Sequence, residues 1–247
     1  MKQQFEEALN TIKAQNTDAC IAGSAMLGYN EGWNQDIDVF CYNEQSFIEL
    51  LYYMKYDKMF TILEPLEIHK MTEYLKERKS SLESIGLITI KFKWNLCIDV
   101  NIIYKKFQKN IFDCISAFDI DHIAQGFCLK TRQYLSLRTS TGLEGTWNRF
   151  NTSYYKCNLW STKRLLRQFS RVVKYTERGY NLESVTDKYI SLIEEILDKD
   201  NIYKTEKGTI FYEKTQKEFE IVLKILQVWQ KEKKMSPENL MVLQTLI

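Results

Sequence analysis

The sequence predicts an α+β fold: a small mixed β-sheet with flanking helices, followed by an α-helical C-terminal domain. Three observations predict it. QDIDVFCY alternates polar and apolar residues with a period of two, and LITIKF and LCIDVNIIY are two β-branched runs set close together. From Leu159 onward the apolar residues recur at helical spacing almost throughout. The order of helix, strand, strand, helix, hairpin and then helices places the sheet in the first half of the chain.

Taken in order, Lys2 to Ala14 reads as a helix with Phe5, Leu9 and Ile12 on one face. Cys20 to Gly23 is a short buried strand ending at a glycine. On the strand from Gln35 to Tyr42, Ile37 and Val39 share one face while Asp36 and Asp38 share the other. SFIELLYYMKY follows as a helix, with Ser46 as its candidate N-cap. Leu87 to Tyr104 reads as a hairpin that turns at Lys93-Trp94-Asn95. A helical pattern resumes near Ile111, and Gly142 and Gly145 punctuate a loop-rich stretch reaching to about Asn158. The helical remainder breaks at Gly179 and near Gly208. The expected organisation is a sheet-bearing domain over 1–116, a connecting segment over 117–158 and a helical domain over 159–247.

Composition narrows the class. The 247 residues are 45% hydrophobic and 13% aromatic, enough for one large core or two small ones. Only 2 prolines and 9 glycines, with no repeat, argue against long linkers and solenoids. The opening residues are charged and amphipathic, unlike a signal peptide. No apolar run approaches the ~20 residues needed to span a bilayer, so a soluble, cytoplasmic protein with no membrane partner is expected. The 6 cysteines stand singly, with no CxxC pair and just 2 histidines. Reduced structural thiols are therefore expected, not a zinc site. The net charge of +2 says little about partners, but seven basic residues and one acidic residue lie between Lys156 and Arg178.

The segment that carries chemistry is IAGSAMLGYNEGWNQDIDVF. A strand ends in Gly23-Ser24, a glycine-containing loop follows, and the next strand opens with Asp36 and Asp38 pointing to one face. Two adjacent carboxylates repel one another, and a divalent ion resolves that repulsion. Magnesium fits, since it takes hard oxygen ligands and commonly one or two carboxylates plus substrate phosphates; manganese is the alternative. Gly23 lets backbone approach a phosphate, and Ser24 adds a hydroxyl and an N–H donor. Asp99 sits mid-strand between Ile98 and Val100, where an aspartate is costly without a partner. If its strand neighbours that of Asp36, Asp99 completes a metal site and serves the acceptor hydroxyl. Two ions about 3.5–4 Å apart would stabilise the attacking oxygen and the departing pyrophosphate.

Ala22-Gly23-Ser24, the spacer, Asp36-Ile37-Asp38-Val39 and Asp99 together resemble the signature of the DNA polymerase β superfamily of nucleotidyltransferases. Within it, Arg164-Leu165-Leu166-Arg167 followed by Gly179-Tyr180 resembles the neck helix of bacterial-type (class II) CCA-adding enzymes and poly(A) polymerases. FDIDHIAQGF, with Asp119, and TGLEG are similar to two further elements of that family. The sequence departs from the family at Ala117 and Phe118, where two arginines are usual, and at Ala25-Met26-Leu27, and it carries no Glu-Asp-x-x-Arg element.

The resemblance implies a palm that moves a nucleotidyl group from a nucleoside triphosphate, ATP among them, onto an acceptor hydroxyl. It implies Asp36, Asp38 and Asp99 as catalytic and metal-binding residues, and Gly23 and Ser24 as nucleotide-binding residues. Arg164, Arg167, Arg171 and Lys174 form, with Arg178, one stripe of a strongly amphipathic helix. Such a stripe suits a triphosphate or a nucleic-acid backbone, although a solvated helix face is the plainer reading. An RNA 3′ end is the expected acceptor. A protein or small-molecule hydroxyl is the alternative, and a non-catalytic nucleotide- or RNA-binding module is the second. Trp33 stands in the loop before the aspartates, where it could touch a base or simply pack, and His122 reads as structural. The sequence is silent on oligomeric state.

Overall fold

The computed structural model of the chain describes residues 1–33, 35–63, 87–151, 162–198 and 209–232, together with Asn239 and Val242. The chain divides into two compact units, Met1–Arg138 and Thr139–Ile247. The observed class is α+β, as expected: a mixed sheet flanked by helices, followed by three further helices among the described residues.

Unit 1 contains, in chain order, α1 (Lys2–Lys13), β1 (Ala19–Ala22), β2 (Ile37–Cys41), α2 (Glu44–Tyr56), β3 (Phe60–Ile62), β4 (Leu87–Trp94), β5 (Ile98–Lys105), α3 (Ile111–Ile115), β6 (Gln125–Cys128) and β7 (Tyr134–Ser136). The strands form one seven-stranded sheet in the order β3-β4-β5-β2-β1-β6-β7. β2 and β5 run parallel at its centre, and every other pairing is antiparallel. Alternation along the strands sends Ile21, Ile37, Val39, Phe92, Val100 and Ile102 to one face. There they join Phe5 and Ile12 of α1 and Phe47, Leu50 and Met54 of α2 in the main core. On the opposite face Cys20, Phe40, Tyr42, Ile103 and Cys128 pack under Cys114 and Ile115 of α3, with Phe118 against them.

Three local differences from the sequence reading have simple causes. Asn43, not Ser46, caps α2: its side chain accepts from the Ser46 N–H at 2.8 Å, and Ser46 Oγ completes the reciprocal capping box. The hairpin turns through Asn95, Leu96 and Cys97, between the paired Trp94 and Ile98, with Asn95 and Leu96 left-handed at φ 45° and 59°, two residues later than the pattern suggested. The stretch 117–138, read as part of a connection, supplies β6 and β7 to the sheet.

Unit 2 contains α4 (Thr162–Glu177), α5 (Glu183–Asp198) and α6 (Thr209–Glu232). Gly179, at φ 87°, reverses the chain after α4, and the Tyr180 N–H donates to the Tyr175 carbonyl at 3.0 Å. Phe169 meets both Tyr189 of α5 and Trp229 of α6 edge-to-face, and Val172, Ile193, Val222 and Leu226 are buried with them. Among the described residues no helix is long and apolar enough to cross a membrane. Cys20, Cys41, Cys114 and Cys128 are buried free thiols, while Cys97 is exposed beside the hairpin turn; Cys157 lies outside the described residues. Burial pushes the Cys41 and Cys114 thiols well up, which keeps them protonated and unreactive.

Candidate active site

The second sheet face also carries the acidic residues, each of them half-buried. Ala22, the last residue of β1, pairs with Asp38 of β2, so the chain leaves β1 into Gly23-Ser24 directly beside that aspartate. Gly23 has φ 85°, a conformation that side chains rarely adopt. A Cβ there would also stand 3.3 Å from Phe118 Cζ and 4.0 Å from Asp38 Oδ2. The turn and the carboxylate are therefore neighbours, with Phe118 closing the floor. Phe118 also meets Phe40 edge-to-face, with ring centroids 6.0 Å apart.

The loop from the turn to β2 is stitched by Gln35, a residue the sequence reading passed over. Its buried amide donates to the carbonyl of Gly28 at 2.8 Å and accepts from the Asn30 N–H at 2.7 Å. Because Gln35 immediately precedes Asp36, the loop is anchored at the point where the acidic strand begins. Trp33 lies half-buried in this loop.

Across β2 the parallel partner is β5, with Ile37 opposite Val100 and Asp38 opposite Asn101. Asp36 and Asp99 each stand one residue before the Ile37–Val100 pair. Asp36, Asp38, Asp99 and Asn101 thus occupy one face. The residue that joins the first two is Asn101: its Nδ2 donates to Asp36 Oδ2 at 3.1 Å and to Asp38 Oδ1 at 2.8 Å. Asp99 instead pairs with Lys93, directly opposite it on β4, at 2.8 Å between Nζ and Oδ1. Asn101 and Lys93 were both missed as site residues.

Whether these residues fit a divalent cation follows from the same distances. One amide nitrogen reaches both Asp36 and Asp38, which places the two carboxylates on either side of one side chain, and carboxylate oxygens are the donor type that suits magnesium or manganese. Among the described residues, no group of three or more His, Cys, Asp or Glu side chains is arranged to hold a metal ion. The fit is to a pair of carboxylates.

Of the basic residues expected to meet the nucleotide, Arg171 and Lys174 lie half-buried on α4 in unit 2. Lys174 and Arg178 flank the Tyr175 ring, 6.0 and 5.2 Å from its centroid. The side chains of Arg164 and Arg167 lie outside the described residues. Asp119, Asp121 and His122 are fully buried in unit 1, in the segment leading to β6.

No protein-family model matches the chain, and no curated protein sequence matches it. Among solved structures, the chain is similar to the CCA-adding enzyme of Thermotoga maritima in complex with tRNA, with a TM-score of 0.39 and 11% identity. The match covers 81% of this chain and 46% of that one, so the chain spans less than half the length of that protein.

Proposed function

We propose that the chain is a divalent-cation-dependent nucleotidyltransferase, moving a nucleotidyl group from a nucleoside triphosphate to an acceptor hydroxyl with release of pyrophosphate. The observation that carries this reading is the pair of aspartates on the opening of β2, side by side with a glycine-serine turn. Asp36 and Asp38 would hold the cation, magnesium or manganese, which supplies charge neutralisation for the triphosphate and the departing pyrophosphate. Gly23, with no side chain, and Ser24, with its N–H and hydroxyl, would receive the phosphates. Asp99 stands on the same face and serves the acceptor side, as a base for the attacking hydroxyl.

Atoms balance simply. The acceptor oxygen bonds to the α-phosphorus, the bond from that phosphorus to the bridging oxygen breaks, and the hydroxyl proton leaves to a carboxylate or water. The residues contribute position and fixed charge, the main sources of rate in phosphoryl chemistry. In unit 2 the basic stripe of α4, with Arg164, Arg167, Arg171 and Lys174, is proposed to bind polyphosphate or RNA backbone. An RNA 3′ end is the acceptor we favour on the strength of that stripe and the sequence resemblance.

Incubating the chain with each α-labelled nucleoside triphosphate, Mg²⁺ or Mn²⁺ and total RNA tests this. Label on RNA with pyrophosphate released is the expected result. Label on protein or on a small molecule would keep the chemistry and replace the acceptor. Binding without turnover would overturn the enzyme reading.

A further inference from the structure

We infer that Cys128 is a site of reversible oxidation: peroxide reacts at its sulfur, and the Cys20 thiol across the sheet resolves the product into a Cys20–Cys128 disulfide.

Register brings the two sulfurs together. Cys20 of β1 and Cys128 of β6 stand directly opposite one another in an antiparallel pairing. The Leu129 N–H donates to the Ala19 carbonyl at 2.9 Å, just outside the pair, which makes theirs a non-hydrogen-bonded position. Opposed residues come closest at such positions, with Cα atoms about 4.5 Å apart, within the span that a disulfide accepts. Both side chains leave on the face that packs under α3, where Cys114 meets Cys20. Tyr42 joins them. It is 8% exposed, its hydroxyl bonds to no nitrogen or oxygen of the described residues, and it faces the Cys20 and Cys128 thiols. Among the described residues these thiols form no group arranged to hold a metal ion.

Cys128 differs from its neighbours in its surroundings. Burial works to raise its pKa, but the Thr131 hydroxyl and N–H, the Tyr42 hydroxyl and the Lys130 N–H favour the thiolate and outweigh burial, so the thiol lies below its ordinary value. Three of those donors come from the turn after β6, which is folded back by the Arg132 N–H on the Cys128 carbonyl at 3.0 Å. The charged groups beside it are the Lys130 ammonium and its partner Asp18, 2.8 Å apart. Cys128 is also the thiol of the three nearest solvent, 4% exposed against 0% for Cys20 and Cys114.

The steps balance. The Cys128 thiolate attacks one oxygen of hydrogen peroxide, the O–O bond breaks, and the departing hydroxide takes a proton to become water, leaving a sulfenic acid. The Cys20 sulfur then attacks the sulfenic sulfur, the S–O bond breaks, and the hydroxyl leaves with the Cys20 proton as a second water. Two thiols lose two electrons, and one peroxide is reduced to two waters. Exchange with a thiol reductant reopens the bond. Closed, it fastens β1, the strand that runs into the Gly23-Ser24 turn, to β6.

The test treats the intact folded chain with hydrogen peroxide, blocks the remaining thiols with iodoacetamide after unfolding, and maps the peptides by mass spectrometry with and without dithiothreitol. A reducible Cys20–Cys128 crosslink is expected. Cys20→Ala should instead leave a sulfenic acid at Cys128, captured by dimedone, and Cys128→Ala should leave Cys20 reduced. Thr131→Val lies on the exposed turn, outside the core. It should slow crosslinking several-fold and move its pH dependence upward, which a packing role alone would not do. Three results would overturn the proposal: Cys128 still reduced once the exposed Cys97 is fully oxidised, a bond from Cys20 to Cys114 in its place, or an unchanged rate and pH profile in Thr131→Val.

Discussion

His122 shows how a single buried group ties the fold to solution conditions. It is fully buried, and burial lowers its pKa from 6.5 to about 4, with Arg138 pushing the same way and Asp121 and Asp119 opposing. Between those two values the unfolded chain binds a proton that the folded chain does not, so this residue makes stability rise with pH through the window and level off above it. Its contribution amounts to up to about 3 kcal/mol lost between pH 6.5 and 4. Urea denaturation of His122→Asn against the unaltered chain across that range should show the stability gap narrowing as the pH falls; a constant gap would contradict the assignment. The candidate site residues were legible at this scale only in part. Alternation alone puts Asp36 with Asp38 and Asp99 with Asn101, because side chains change face at every step along a strand. Cross-strand partners depend on register, which alternation does not set. A turn at 93–95 would place Lys93 in the loop. The observed turn at Asn95-Leu96 places it opposite Asp99, and the ion pair follows.

Among the elements, α2 illustrates how one residue fixes a boundary. Asn43 and Ser46 cap it reciprocally, and the helix then buries Phe47, Leu50 and Met54 against the sheet face opposite the aspartates. Asn43→Ala should cost about 1 kcal/mol, read as a lowered denaturation midpoint with an unchanged slope. A neutral result would mean that packing alone sets the start of the helix. Long strands with strong alternation, β2, β4 and β5, were visible in the sequence. β3 and β7, of three residues each, are too short to show a period. β6 is hidden for a different reason: it contains Gly126, and glycine argues against a strand on propensity. A Cβ there would lie 2.9 Å from the carbonyl of Ile21, so close approach of β1 demands the residue that disguises the strand.

For the whole molecule, the division into a sheet unit and a helical unit follows from the change of period between the two halves of the sequence. The boundary at Arg138 lies beyond the expected one because β6 and β7 complete the sheet after α3. Within the sheet unit, the helices α1 and α2 pack on one face and α3 on the other, the face that also carries the acidic residues. The proposed nucleotidyl transfer depends on a cation held by Asp36 and Asp38. Pyrophosphate release from nucleoside triphosphate, measured with Mg²⁺ for the unaltered chain and for Asp38→Ala, tests this dependence. Release by the unaltered chain and a fall of about a thousandfold or more in the variant are expected, with its circular dichroism spectrum retained. Undiminished release by Asp38→Ala would contradict it.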